Sequence, residues 1–226
     1  MPEPFPPASA DLEIAHLDAA CIVVVKPSGL LSVPGRGVAM QDCLASRVAL
    51  RFGDALVVHR LDMATSGLML FARGVEAQRR LGRAFAERAV RKRYIAVVQG
   101  SLAQSEGEID LPLIADWPNR PKQKVDIEHG KPSLTRYRVL ARDRQAVTTR
   151  VALEPLTGRA HQLRVHLLAL EHAHGVAPSL AQQLVVVAQA VAIHAFAHRA
   201  ARLVHVLAIA KPASQSQRSD VAEAGG

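Results

Sequence analysis

Apolar positions in the first 170 residues fall into runs of two periods. CIVVVK begins with consecutive apolar and β-branched residues, the pattern of a buried strand over Cys21 to Val25; Lys26-Pro27 and a loop holding Gly29, Pro34, Gly35 and Gly37 end it. KRYIAVVQG instead alternates, with Tyr94, Ala96 and Val98 set against Ile95 and Val97. ALVVH and GLMLFA read as two strands on either side of a charged cluster, and SLTRYRVLARD and AVTTRVALEP as an antiparallel pair. Helical spacing appears around Leu44 to Leu50 and over roughly Val75 to Ala89, where Leu81 and Phe85 lie four apart with Arg and Glu opposite. LTGRAHQLRVHLLAL passes from a turn at Thr157-Gly158 into a third helix. DLPLIADWPNRPKQKVDI, rich in proline and cations, predicts a long loop between strands, and no internal repeat is visible.

Length and composition narrow the class. A chain of 226 residues suits one domain of generous size, or one domain with an appendage. With 49% apolar residues and only one Trp, two Tyr and five Phe, the core must be built mainly from Ala, Val and Leu. The net charge of +8 implies an anionic partner, nucleic acid first among the candidates. Cys21 and Cys43 form no CxxC pair and match no zinc spacing, so neither a disulfide framework nor a structural metal is expected, and a reduced cytoplasm is the default. MPEPFPPASADLE lacks the basic and apolar regions of a signal peptide. The tract Leu184 to Ala197 is shorter than the ~18 residues a membrane span needs and is broken by Gln189 and His194.

Chemistry concentrates in a few places. His59, Arg60 and Asp62 lie between apolar runs, where charge is costly unless used. A carboxylate there takes up a proton unless a cation holds it ionised, and Arg60 and the apolar-flanked Arg164 are the candidate cations. An ionised, desolvated Asp62 is a competent nucleophile or base; the same residues also suit a structural ion pair or a turn cap. Tyr94 follows Arg91, Lys92 and Arg93, which would lower the cost of ionising its phenol, although a strand tyrosine is more often packing. His161, Arg164 and Leu168 share one helical face, and Arg159 lies just before that helix, where phosphate binders are often placed. Arg120, Lys122, Lys124 and Arg136 are positioned along the chain to follow a phosphate backbone, or form a solvated face. His194, His198 and His205 have the spacing of one helical side, the alternative of a metal-binding protein.

Four ordered segments resemble the RluA-type pseudouridine synthases: KPSGLLSVPG, HRLDMATSGLMLFAR, RKRYIAVVQG and LTGRAHQLRVHLL. DLPLIADWPNRPKQKV with GKPSLTRY is similar to the dual-specificity member of that family. The resemblance, covering about Leu12 to Leu170, implies an α/β (α+β) fold with a mixed, largely antiparallel sheet, helices flanking it and a basic cleft across it. It implies isomerisation of uridine to pseudouridine, without a cofactor, in the anticodon stem-loop of tRNA and a hairpin of 23S rRNA; a monomer and no metal are the default expectations beside it. By similarity Asp62 is the catalytic aspartate, Arg164 its partner and Tyr94 the active-site tyrosine. Arg60 would enter the space left by the target base, and His59 would support the flipped RNA. Arg159, His161, Lys122 and Lys124 complete the expected RNA contacts.

Beyond Glu171 the family's HPxxGD turn and LxLHA strand are replaced by HAHGVAPSLAQQLVVVAQAVAIHAFAHRAARLVHVL, as a shifted reading frame would produce. The expected division is an extended arm over 1–11, a catalytic domain over 12–171, a divergent segment over 172–210 and a disordered tail over 211–226. A relative that binds structured RNA without catalysing is the alternative this divergence raises.

Overall fold

The computed structural model describes residues 12–173 and 187–193. The 1–11 arm, the 211–226 tail, His194, His198 and His205 lie outside the described residues.

The unbroken apolar run at Cys21 has a direct structural cause. Strand β2 (Cys21–Lys26) lies between β1 (Ile14–Leu17) and β4 (Ser66–Arg73), antiparallel to both, and each of its faces is covered. Ile22 and Val24 pack with Leu44 and Val48 of helix α1 (Leu44–Arg51), while Cys21 and Val23 pack with Leu81 of helix α2 (Gly74–Ala86). A strand buried on both sides has no place for polar alternation. Cys43 caps α1, its sulfur accepting from the Ser46 N–H. Helix α2 stops three residues earlier than its sequence pattern predicts. Arg88 takes a left-handed φ of 59°, which lets the Ala89 N–H reach back to the Ala84 carbonyl at 2.9 Å and close the last turn.

Strand β3 (Ala55–Val57) pairs with the C-terminal end of β4. The second half of the sheet is built from β5 (Val90–Gln99), β6 (Glu106–Asp110), β9 (Leu134–Asp143) and β10 (Thr148–Pro155). Its core joins Ala96, Val98, Tyr137, Val151 and Leu153 to Leu167 of helix α3 (Gln162–Ala173). Between the halves lies β11 (Val187–Ile193), parallel to β4 and antiparallel to β5. The resulting nine-stranded sheet runs β1-β2-β4-β11-β5-β10-β9-β6, with β3 beside β4, so it is mixed and largely antiparallel, as the motifs imply. The divergent segment thus contributes the last two residues of α3 and one described strand; the rest of it lies outside the described residues.

One sequence expectation needs correction. The proline-rich stretch after Asp110 is not a plain loop: β7 (Leu113–Ala115) and β8 (Gln123–Val125) pair as a small antiparallel hairpin. Its strands are too short to show a period, and its backbone pairing, such as the Asp116 N–H to the Lys122 carbonyl at 3.0 Å, leaves no trace in side-chain pattern.

Candidate active site

The loop between β3 and β4 carries His59, Arg60 and Asp62, and the loop after β2 holds it in place. Lys26 is fully buried, and its ammonium donates to the carbonyls of Pro27 (2.8 Å), Leu30 (2.7 Å) and Met63 (3.0 Å). The Gly29 N–H also donates to Met63 O, at 2.9 Å, from a left-handed φ of 85° that glycine adopts without a Cβ penalty. The Ser32 hydroxyl accepts from the Leu61 N–H at 3.0 Å and donates to the Leu61 carbonyl at 2.6 Å; Ser28 donates to Ala64 O at 3.0 Å. Residues 61, 63 and 64 are thereby pinned by KPSGLLS, leaving the part-exposed Asp62 carboxylate as the free end of a fixed loop. Reading the sequence alone treated Lys26-Pro27 as a strand stop. The missed signal was a lysine closing an otherwise apolar, fully buried strand.

Asp62 lines a cleft of about 480 Å³ between the two halves of the sheet. Lys92 and Tyr94 come from β5; Arg60, Arg88, Arg159 and Arg164 are further cations on its walls, and Asp62 is the sole carboxylate among the described lining residues. Tyr94 packs against the cores of both halves, which places it at their seam. The expectation that neighbouring cations ease its ionisation is overturned. The pleat of β5 sets Arg91 and Arg93 on the opposite face, and burial together with the charge of Asp62 pushes the phenol up to about 12.

Arg164 shares the cleft but makes no ion pair with Asp62; among the described residues Asp62 takes part in no salt bridge. The exposed Arg164 side chain extends from the first turn of α3, and the charge of Asp62 acts on the buried, carbonyl-bound Lys26 ammonium without an ion pair between them. Burial lowers the Lys26 ammonium to about 8 against the opposing pull of Asp62.

His59 is a neutral part of the wall. Its Nε2 accepts from the Leu70 N–H at 2.9 Å, so the proton sits on Nδ1, and its ring stacks on Phe85 at 4.7 Å. Burial, then the Lys92 charge, pushes it down to about 4. Between pH 6.5 and 4 the unfolded chain therefore binds the extra proton, and stability falls as pH drops. The expected loss between pH 7 and 5 is about 2 kcal/mol, absent in His59→Gln, as urea titrations of both proteins at the two pH values will register.

The other wall is held by Gln162. Its buried amide oxygen accepts from the Thr157 hydroxyl (2.8 Å) and the Arg159 N–H (2.9 Å), while its nitrogen donates to Leu134 O (3.1 Å) and Thr135 Oγ1 (3.0 Å). Buried His166 continues the chain, with Nδ1 2.9 Å from Thr135 Oγ1 and Nε2 donating to Leu111 O at 3.0 Å. Neither residue stood out in the sequence; the available signal was two polar side chains on the inner side of an apolar helix. His161 is not inside that helix, as its spacing with Arg164 suggested. It precedes α3 with a left-handed φ of 52°, its carbonyl accepting from the Val165 N–H at 3.0 Å, and it still faces the cleft.

The structure therefore brings His59, Arg60, Asp62, Tyr94, Arg159, His161 and Arg164 to one cavity, while Lys122 and Lys124 stand apart on the β7–β8 hairpin. Away from the cleft, His16, Asp18 and Cys21 place their ligand atoms within 4.8 Å of one another. Both Asp18 oxygens there are already engaged, by the Ala20 and Cys21 N–H groups and by His16, as the lock of the β1–β2 turn.

A carboxylate fixed among cations in a cleft large enough for one nucleotide suits an enzyme that works on nucleic acid. The sequence pattern of the RNA pseudouridylate synthase family matches residues 20–169, and the chain belongs to that family. Within it the chain is of the RluA type. It is 53% identical over 167 residues to the dual-specificity RNA pseudouridine synthase RluA of Pasteurella multocida, covering 74% of this chain and 76% of that one. It is 52% identical over 188 residues to the Yersinia pestis protein of the same name, covering 80% and 91%. Among solved structures, human RNA pseudouridylate synthase domain containing 1 superposes with a TM-score of 0.72 at 25% identity, over 90% of this chain and 85% of that one.

Proposed function

We propose that this RNA pseudouridine synthase acts on uridines in loops of structured RNA, namely the anticodon stem-loop of tRNA and a hairpin of 23S rRNA, as a cytoplasmic monomer. The observation that carries the reading is the Asp62 carboxylate, the sole one among the described lining residues, on a loop held by KPSGLLS in a cleft of cations. Among the described residues no helix is long and apolar enough to cross a membrane.

The target base leaves its stack at a cost of a few kcal/mol, least in a loop, and phosphate contacts from Arg159, His161, Lys122 and Lys124 offset that cost. Arg60, exposed at the rim, enters the space the base leaves, and the neutral His59 wall supports the everted strand. The N1–C1′ bond breaks, the uracil turns in place, and C5 bonds to C1′; the hydrogen on C5 is lost and N1 gains one, so no electrons or groups are exchanged with a cofactor. Tyr94 keeps its proton at neutral pH. In a route through a glycal, removal of the C2′ proton, and its return to C2′ as C5 bonds to C1′, therefore falls to the Asp62 carboxylate, with the protonated Tyr94 phenol in the same cleft. Arg164 closes on Asp62 or on a phosphate once RNA fills the cleft.

Residues 12–171 form the catalytic unit in this reading, followed by the divergent segment over 172–210. The test is release of tritium from RNA labelled at uridine C5. Release from a tRNA transcript and from a 23S rRNA hairpin, but not from a fully paired duplex, is expected. Tight binding of both RNAs without release would instead make the chain an RNA-binding relative that does not catalyse.

A further inference from the structure

Trp117 is the sole tryptophan of the chain, and the fold spends it on the tip of the β7–β8 hairpin, where it remains 65% exposed. The tip is rigid. The Asn119 N–H donates to Asp116 O at 3.0 Å, the Asn119 amide to Asp116 Oδ2 at 2.8 Å, and the Lys122 N–H to Asn119 O at 3.0 Å, so the 3₁₀ turn over Trp117–Asn119 is closed on both sides. The Arg120 guanidinium lies over the indole, 3.0 Å from its centroid. One face of the ring is covered by a cation, and the exposed area belongs to the other face and the edges. Lys122 and Lys124 follow on the same hairpin, both exposed.

The root of the hairpin is fixed to the helix that walls the cleft. His166 of α3 bonds to Leu111 O, α3 packs against β8, and Leu113 exchanges both backbone hydrogen bonds with Lys131 (3.0 and 2.8 Å). From Leu113 to Trp117 an extended chain reaches about 13 Å. An exposed aromatic ring backed by a guanidinium, on a lysine-bearing hairpin rooted at the helix that walls a cleft for one nucleotide, has the chemistry of a stacking platform for a second base.

We infer that Trp117, backed by Arg120, stacks an unpaired base of the RNA loop other than the target uridine. The inference rests on the RNA-loop reading of the cleft. Stacking tolerates any base, so this contact selects for an open loop, while Lys122 and Lys124 take the phosphates on either side. RNA is favoured over a protein partner because the ring is backed by a guanidinium and its hairpin carries two further exposed lysines, which suit phosphates beside a stacked base.

The full chain is titrated with a fluorescein-labelled RNA hairpin whose seven-nucleotide loop contains one uridine, and with the same stem as a continuous duplex. RNA anisotropy and tryptophan emission are read together. The hairpin is expected to quench the emission and the duplex to leave it unchanged. Trp117→Ala should bind the hairpin roughly ten- to a hundredfold more weakly with an unchanged thermal midpoint, and Trp117→Phe should retain most of the affinity. Plots of log affinity against log salt should keep their slope in Trp117→Ala and flatten in the Lys122→Ala/Lys124→Ala double variant. Hairpin binding seen by anisotropy with unaltered emission and an unaffected Trp117→Ala overturns the platform and leaves the proposed function standing. Equal quenching by the duplex also overturns it. If neither RNA binds, the proposed function falls and the platform with it.

Discussion

Asp62→Asn is expected to lower uridine isomerisation by about 10³-fold or more, some 4 kcal/mol of transition-state stabilisation, while the fold and RNA affinity persist. The carboxamide has the same shape, and the backbone around it is held from elsewhere: the Asp62 carbonyl accepts from the Thr65 N–H at 3.0 Å, and Leu61 and Met63 are pinned by Ser32 and Lys26. No described salt bridge is broken by the change. Tritium release, anisotropy of a bound hairpin and the thermal midpoint separate the three quantities. A variant keeping more than about a tenth of the turnover would show that this carboxylate is not the reacting group. Its charge can also be seen independently, because Asp62 helps hold the Tyr94 phenol up near 12. In Asp62→Asn the phenol should ionise at lower pH, a shift readable by ultraviolet absorbance.

Lys26→Met is expected to lose about 3 kcal/mol of stability and roughly a hundredfold in turnover, although Lys26 does not line the cleft. Methionine fills a similar volume, but the carbonyls of Pro27, Leu30 and Met63 lose their shared donor, and the Asp62 loop loses its anchor. Lys26 is a positioning residue, so a further readout is needed, and pH supplies one. Folded Lys26 gives up its proton near 8 and unfolded lysine near 10.5, so between those values the unfolded chain holds more protons. Wild-type stability should therefore rise relative to Lys26→Met by about 3 kcal/mol from pH 8 to 10.5. A constant difference across that range would mean that the three carbonyl hydrogen bonds keep the ammonium charged despite its burial.

Much of the sheet was readable because its strands are buried on both faces or alternate cleanly: β2, β4, β5 and the β9–β10 pair all follow from apolar runs. The β7–β8 hairpin was not, since short strands held by backbone hydrogen bonds carry no period. Of the site, Asp62, Tyr94 and the surrounding arginines were legible as charge placed at a cost inside apolar context. Their relations were not. The sequence offered Arg60 and Arg164 as candidate cations for Asp62, and Arg91, Lys92 and Arg93 as modulators of Tyr94. The fold instead couples Asp62 to Lys26 and turns Arg91 and Arg93 to the far side of β5.

By itself, the order of residues determined the family, the long strands and helices, and Asp62 as the candidate carboxylate, because hydrophobic period and motif spacing are local properties of a chain. Only the tertiary structure decided that a buried lysine of KPSGLLS anchors the loop bearing that carboxylate, and that the lone tryptophan stands in solvent. Electrostatic coupling and hydrogen bonding depend on distances across the cleft, and these are set by how β2, β5 and α3 pack.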